Sequence, residues 1–123
     1  MLKSDLKPAT FWTAIGRNIW RHNVAAGSQK FGWWFEFPTN PGGPSATSDI
    51  CPQGDHLVEF FNNTAHSNAD IGLRIYPQWT PLEVPCDETS LPSAQYFYNF
   101  TSWHNGQGQF GKKLGSIHFV NSK

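Results

Sequence analysis

One type of segment occurs three times along this 123-residue chain, and this repetition limits the fold more than any other feature. Each copy contains an aromatic or apolar strand, an Asn, small residues, a polar bend and a Gly that opens another strand. The stretch from Asn23 to Gly32 aligns without a gap with the stretch from Asn63 to Gly72. The third copy aligns through Thr101 and places two extra residues before Gly111. Repeats at this period predict stacked units, which present a long groove or a flat face instead of one deep pocket.

Short runs rich in aromatic and β-branched residues, bounded by turn residues, predict strands throughout the chain. Together with the Pro-rich loops, they predict an all-β fold, a right-handed parallel β-helix of about three coils. An antiparallel sandwich of hairpins is the alternative, although a tight Asn-Gly turn occurs only at Asn105-Gly106. The predicted organisation is a lead-in at 1–8 and repeats over 9–121, with copies near 9–37, 56–76 and 93–120 and side loops at 38–55 and 77–92.

Aligned positions of the three copies predict ladders of stacked side chains, which bury one another and share hydrogen bonds. An aromatic, a polar and a β-branched ladder are expected, formed by Trp20, Phe60 and Phe97, by His22, Asn62 and Asn99, and by Val24, Thr64 and Thr101. Such a stack has an exposed edge at each end. Because the last residues, HFVNSK, interrupt a strand pattern without an evident cap, we expect a fragment of a longer solenoid with flanking coils.

The balance of charge argues against several classes of partner. The formal net charge is zero, so neither a basic stripe for nucleic acid nor an acidic tail for a cationic partner is present. No apolar run approaches the roughly 18 residues of a membrane span, and we expect no membrane contact by this segment itself. No phosphate loop or dinucleotide fingerprint occurs, so no cofactor is predicted.

The two cysteines, Cys51 and Cys86, lie in the two Pro-rich loops, each after the Gly-initiated strand of its own copy. Stacked copies would make these loops neighbours and bring the cysteines within bridging distance. A disulfide and two free thiols are both compatible with the sequence. A disulfide would imply an oxidising compartment. Since the first 16 residues contain no apolar secretory core, the chain would then be part of a longer secreted or membrane-anchored protein.

Two triplets match the N-glycosylation pattern and begin at Asn62 and Asn99. They occupy equivalent places in the repeat, where Asn and Thr also suit a bend, because Asn tolerates the left-handed conformation and both side chains cap backbone groups. Glycosylation and a ladder of turn residues are therefore competing interpretations of both triplets.

Metal-binding and catalytic patterns are weak. Neither the five histidines nor the two cysteines have the spacing of a metal site, so no metal site is predicted. Glycoside cleavage normally needs two carboxylates about 5 to 10 Å apart. Glu36 and Asp70 are candidates, but the matching repeat positions hold Tyr76 and Lys30. Ordinary solvated carboxylates are the simpler interpretation, and no catalytic residue is predicted.

The tryptophans suggest contacts with carbohydrate, because sugar rings stack on aromatic faces. Trp33 and Trp34 are adjacent in one predicted strand, so one points inward and the other outward. The outward ring either contacts a glycan or lies beneath the loop at 38–55. Candidate glycan contacts are Trp33, Trp34 and Trp103.

Several segments resemble a known extracellular family. ATFW, RHNVAAGS, GWWFEFPTNPGGPSAT and EFFNNTAHSNADIGLRIY, followed by FTSWHNGQG and LGSIHFVN, are similar to the β-helix region shared by fibrocystins and the cell-migration-inducing hyaluronidases. The resemblance extends from about Pro8 to Asn121, and the paired Cys51 and Cys86 look more like the fibrocystin side. It implies a right-handed parallel β-helix in a large ectodomain, usually accompanied by G8 domains. No catalytic motif of the family maps onto this chain.

Together these observations predict a structural and adhesive role. We expect a piece of the extracellular β-helix of a fibrocystin-like membrane receptor, acting as a scaffold that presents loops to a protein ligand or to a glycan such as hyaluronan. The alternative is part of a β-helix enzyme that depolymerises hyaluronan. Carboxylates that converge on one face would favour the enzyme, and an aromatic or polar face would favour binding.

Overall fold

The computed structural model describes residues 6–123. This part of the chain folds as a parallel β-helix, and the all-β class predicted from the repeat is confirmed. The strands are β1 (Ala9–Thr13), β2 (Ile19–Arg21), β3 (Val24–Ala26), β4 (Phe31–Glu36), β5 (Glu59–Phe61), β6 (Thr64–His66), β7 (Ile71–Tyr76), β8 (Gln95–Tyr98), β9 (Thr101–Trp103), β10 (Gln107–Gly111) and β11 (Ile117–Val120).

The strands stack into three parallel sheets. Sheet A has the order β1-β4-β7-β10, sheet B the order β2-β5-β8-β11, and sheet C the order β3-β6-β9. The chain visits B, C and A in turn, which makes three coils with β1 before them and β11 after them. Every pairing between these strands is parallel, so the alternative of antiparallel hairpins is wrong.

Glycines allow the coils to approach closely in sheet A. A Cβ on Gly32 would lie 2.5 Å from the carbonyl oxygen of Gly72, and one on Gly72 would lie 2.6 Å from that of Gly108. The register pairs Ile71 with Gln107, so the third member of this ladder is Gly108 and the alignment with Gly111 is wrong. The physical reason is a bend that is one residue shorter in the third copy.

Aromatic side chains fill the interior. Trp20 pairs in register with Phe60, whose ring lies 4.6 Å from that of Phe97. Phe119 extends the ladder, with its ring centroid 4.8 Å from that of Phe97. Phe60 and Phe97 are fully buried. Burial of such rings is the main stabilising contribution in a small β structure.

The corner between sheets B and C explains why Asn recurs there. His22, Asn62, Asn99 and Asn121 all have φ between 52° and 54°, a left-handed conformation that Asn tolerates better than most residues. One residue further, the buried Asn63 donates from Nδ2 to the Trp20 carbonyl at 2.9 Å. The predicted polar ladder is therefore a ladder of corner residues with positive φ.

The two Pro-rich loops are joined by the Cys51–Cys86 disulfide, with Cα atoms 5.3 Å apart. The alternative of free thiols is thereby excluded in this structure. The buried Trp79 packs beneath the loops and donates from Nε1 to the carbonyl of Asp55 at 2.9 Å. The Asp55 carboxylate also accepts from Arg17 Nε at 2.9 Å. These contacts attach both loops to the same edge of the coil.

Candidate ligand-binding face

The outer side of sheet A carries aromatic, basic and acidic side chains close together. Trp33 and Phe35 of β4 belong to the core, so Trp34 between them points to the opposite side. The register places Trp12, Arg74 and Phe110 beside Trp34 in one row across the four strands. We call the outer side of sheet A, together with the groove beside it, the sheet A face.

Arg74 occupies the centre of the sheet A face. Its guanidinium carbon lies 5.0 Å from the ring centroid of Phe31, 5.3 Å from that of Trp34 and 4.6 Å from that of Tyr76. Contacts of this kind attract the cation to the ring faces. Within residues 6–123, no carboxylate forms a salt bridge with Arg74. The guanidinium is thus held by aromatic rings, and no acceptor among residues 6–123 takes up its hydrogen-bond donors.

Three lysines surround this centre. Lys7 Nζ lies 5.9 Å from the Trp34 ring, Lys112 Nζ lies 5.5 Å from the Tyr76 ring, and Lys30 Nζ lies 3.9 Å from a carboxylate oxygen of Asp70. Lys7, Lys30, Phe31, Asp70 and Arg74 help to line a groove of about 350 Å³. This volume falls within the range of about 300 to 1,000 Å³ that is usual for ligand sites.

Two carboxylates lie at opposite borders of the sheet A face. Asp70 lines the groove, and Glu36 accepts a hydrogen bond of 3.4 Å from the indole Nε1 of Trp12. Trp12 is 58% exposed and presents an open ring face beside that contact. Among the residues that the structure describes, four cationic side chains against two acidic ones give the face a positive balance, which favours an anionic ligand with flat apolar surfaces.

The shifted pKa values lie on other surfaces. A hydrogen bond from Arg21 lowers the pKa of Glu59 on sheet B, and the attraction of the Arg21 charge adds to this shift. Hydrogen bonds from Thr89 lower the pKa of Asp87 in the second side loop. Both carboxylates are stabilised in their charged form, which suits structural contacts better than proton transfer near neutral pH.

The candidate glycan contacts have three different environments. Trp33 is fully buried against Phe60 and Phe100, so its proposed contact with a glycan is wrong for this structure. Trp34 is 9% exposed, because Arg74 and Phe31 cover its ring. Trp34 therefore supports the sheet A face from below instead of offering an open ring.

Trp103 lies on sheet C, away from the sheet A face. It is 47% exposed and stacks on His66, with ring centroids 4.3 Å apart and an angle of 6° between the ring planes.

Within residues 6–123, no group of three or more His, Cys, Asp or Glu side chains could hold a metal ion. The same part of the chain contains no helix long and apolar enough to cross a membrane.

Sequence reasoning did not identify Arg74 as a site residue. The signal was present in the apolar segment IGLRIY, where one basic residue aligns with Trp34 of the preceding copy. An outward position in consecutive coils places these two side chains on neighbouring strands. The three-ring environment also requires Phe31 and Tyr76, whose approach depends on the register.

Comparisons with known proteins agree with this architecture. Residues 2–73 match the family model described as CEMIP beta-helix. Human fibrocystin-L is 34% identical over 121 residues, which is 98% of this chain and 3% of that protein. The mouse cell migration-inducing and hyaluronan-binding protein and human cell surface hyaluronidase CEMIP2 are each 41% identical over 69 residues, 54% of this chain and 5% of either protein.

No solved structure matches the chain. The chain spans about 3% of the length of fibrocystin-L, so the comparison concerns one short region of a much larger protein. The family match covers more than half of the 123 residues and coincides with the first coils of the stack. The chain therefore belongs to the CEMIP β-helix family.

Proposed function

We propose that this β-helix is an extracellular scaffold and that its sheet A face binds an acidic glycan. The observation that carries this proposal is Arg74, held by three aromatic rings and without a carboxylate partner in residues 6–123. A guanidinium presents a planar set of donors that matches the two oxygens of a carboxylate. Its fixed position reduces the entropy lost on binding.

The surroundings of Arg74 suit a polysaccharide better than a small anion. Trp12 and Phe110 are 58% and 38% exposed and lie in the same row as Arg74, so they offer apolar surface on both sides of the cation. Lys7 and Lys112 are placed to attract further negative charges. A polymer with alternating carboxylates and sugar faces, such as hyaluronan, satisfies both features.

The extracellular location is supported by the Cys51–Cys86 disulfide, because such bonds persist in oxidising compartments. Among the relatives, one name includes hyaluronan binding and another denotes a cell surface enzyme. Coils of a parent protein that stack on the open edges of β1 and β10 would complete the scaffold. A protein ligand on the side loops is the other partner compatible with this role.

The binding proposal is tested by titrating the chain with size-defined hyaluronan in low salt. Arg74→Gln should weaken binding about tenfold or more, because charge-assisted hydrogen bonds contribute about 1.5 to 3 kcal/mol each. Arg74→Lys keeps the charge but loses the planar set of donors, so its affinity for hyaluronan should lie between those of the wild type and Arg74→Gln. Arg21→Gln is the matched control, since it removes the same charge from sheet B. Equal losses for Arg21→Gln and Arg74→Gln, or no binding by the wild type, would contradict the proposal.

The enzymatic alternative rests on the name of the human relative, cell surface hyaluronidase CEMIP2, and on the two carboxylates of the sheet A face. It is distinguished by following the length of the polymer in the same mixtures. Shortening of hyaluronan by the wild type that is abolished by Asp70→Asn or Glu36→Gln would support the enzyme and contradict the scaffold role. Binding without shortening would support the scaffold.

A further inference from the structure

The corner between sheets B and C places the two glycosylation triplets directly above one another. Asn62 follows β5 and Asn99 follows β8, and both have the left-handed φ of this corner, 53° and 52°. Asn62 is exposed, whereas Asn99 is half-buried. Thr64 and Thr101, the third residues of the triplets, are paired in register at the start of β6 and β9.

Neighbouring coils at this corner are separated by only one strand spacing. The Asn62 amide donates to the carbonyl of Tyr98 at 3.0 Å, so the backbones are about 4.8 Å apart. The side chains of adjacent coils also point the same way, since Asn62 Nδ2 lies 2.7 Å from Nδ1 of His22. An N-acetylglucosamine unit is wider than this spacing. Two such units on Asn62 and Asn99 would therefore overlap.

We propose that this corner is an N-glycosylation site that holds one glycan per folded molecule, with Asn62 as the principal acceptor and Asn99 as the alternative. In the transfer, Asn Nδ2 forms a bond to C1 of a lipid-diphosphate-linked oligosaccharide. The bond from C1 to the diphosphate oxygen breaks, the lipid diphosphate leaves, and Nδ2 gives up one proton. Asn62 is favoured because its side chain is the more exposed of the two.

The position of this glycan is compatible with ligand binding elsewhere. The residues that line the groove of the sheet A face include none from the corner between sheets B and C. The glycan therefore covers one corner of the β-helix and leaves the sheet A face open. The inference rests on the extracellular location in the proposed function, but not on the binding of hyaluronan.

The test is the intact mass of the full chain secreted from eukaryotic cells with an added leader, followed by mapping of the modified Asn. Thr64→Val and Thr101→Val each destroy one triplet while keeping the β-branched shape and the corner Asn. We expect one glycan on the wild type, mainly at Asn62. It should remain at Asn62 in Thr101→Val, move to Asn99 in Thr64→Val and be absent from the double variant.

Two glycans on the same folded molecule, no glycan on the wild type, or a glycan mainly on Asn99 of the wild type would overturn the inference. Titration of the same preparations with hyaluronan keeps the two proposals separate. A chain that carries one glycan but does not bind hyaluronan would contradict the proposed function and support this inference. A chain that carries two glycans and binds hyaluronan would support the proposed function and contradict this inference.

Discussion

Substitution of Gly72 by Ala tests the close stacking of the coils in sheet A. A Cβ at this position would lie 2.6 Å from the Gly108 carbonyl oxygen, 2.9 Å from Oγ of Ser102 and 3.0 Å from Nδ2 of Asn105. The carbonyl oxygen is part of the backbone, so it cannot move without widening the separation of β7 and β10. Gly72 does not have a positive φ, so the expected effect comes from this steric overlap and not from a strained backbone.

The expected loss of stability follows from these contacts. Overpacking a core usually lowers the free energy of unfolding by about 1 to 3 kcal/mol. Because the atom that the new Cβ would meet belongs to the backbone, we expect Gly72→Ala to lower it by about 2 to 3 kcal/mol. At roughly 4 °C per kcal/mol for a domain of this size, the midpoint of thermal unfolding should fall by about 10 °C. The measurement is urea and thermal unfolding followed by circular dichroism.

Two other glycines serve as controls for Gly72→Ala. A Cβ on Gly108 has Ser102 Oγ as its nearest neighbour at 3.4 Å, and a Cβ on Gly42 meets nothing within 4 Å. Gly→Ala at such positions changes stability by less than about 1 kcal/mol and often increases it, because the unfolded chain loses freedom. Equal effects of the substitution at Gly72 and Gly108 would refute the stacking of β10 on β7.

Three further changes test the core, the loops and the surface charges. Phe60→Ala should cost about 3 to 5 kcal/mol in urea unfolding, because the side chain is fully buried in the aromatic ladder; a cost below 1 kcal/mol would contradict that packing. Replacing both Cys51 and Cys86 with Ala should lower stability by about 4 kcal/mol, from the loop-closure entropy of a 35-residue separation, and an unchanged unfolding midpoint would show that the cross-link does not constrain the unfolded chain. The Arg21 hydrogen bond lowers the folded pKa of Glu59 below its ordinary value of 4.5, so the stability from this pair is present above that pH and is lost as the pH falls through the folded pKa. Glu59→Gln should therefore flatten the acid limb of a stability profile below about pH 4.5, and an unaltered limb would argue against the Arg21–Glu59 contact.

The repeat predicted much of the fold, because stacking acts on residues at equivalent positions. Trp20 and Phe60 are paired in register, the Phe60 and Phe97 rings pack together, and the equivalent spacing of all three residues is visible in the sequence. The Asn at the corners is similarly explained by its tolerance of a left-handed backbone. These features depend on local chemistry that recurs in each coil, so alignment of the copies was sufficient to find them.

Strand β10 was missed, because its conformation depends on a neighbour. The segment QGQFG at Gln107–Gly111 has no β-branched residue and two glycines, so its composition does not indicate a strand. Pairing with β7 supplies the backbone hydrogen bonds that its side chains do not predict. The last strand, Ile117–Val120, begins only after a turn in which Lys113 has a φ of 48°.

The sheet A face was only partly visible in the sequence. Alternation along β4 predicted that Trp33 and Trp34 point in opposite directions, but not which ring is inside or that Arg74 would cover the outer one. That outcome depends on the register between β4 and β7, which pairs Trp34 with Arg74. The position of Lys7 likewise comes from the lead-in, which lies before the aligned repeats.

Recognition of an acidic glycan by Arg74 on the sheet A face can be observed by nitrogen-15 chemical-shift mapping with hyaluronan oligosaccharides. The side-chain Nε–H signal of Arg74 reports the guanidinium itself. We expect this signal to shift on titration, together with backbone signals of β4, β7 and β10. Shifts confined to sheet B, sheet C or the side loops, with the Arg74 signal unmoved at saturation, would contradict it.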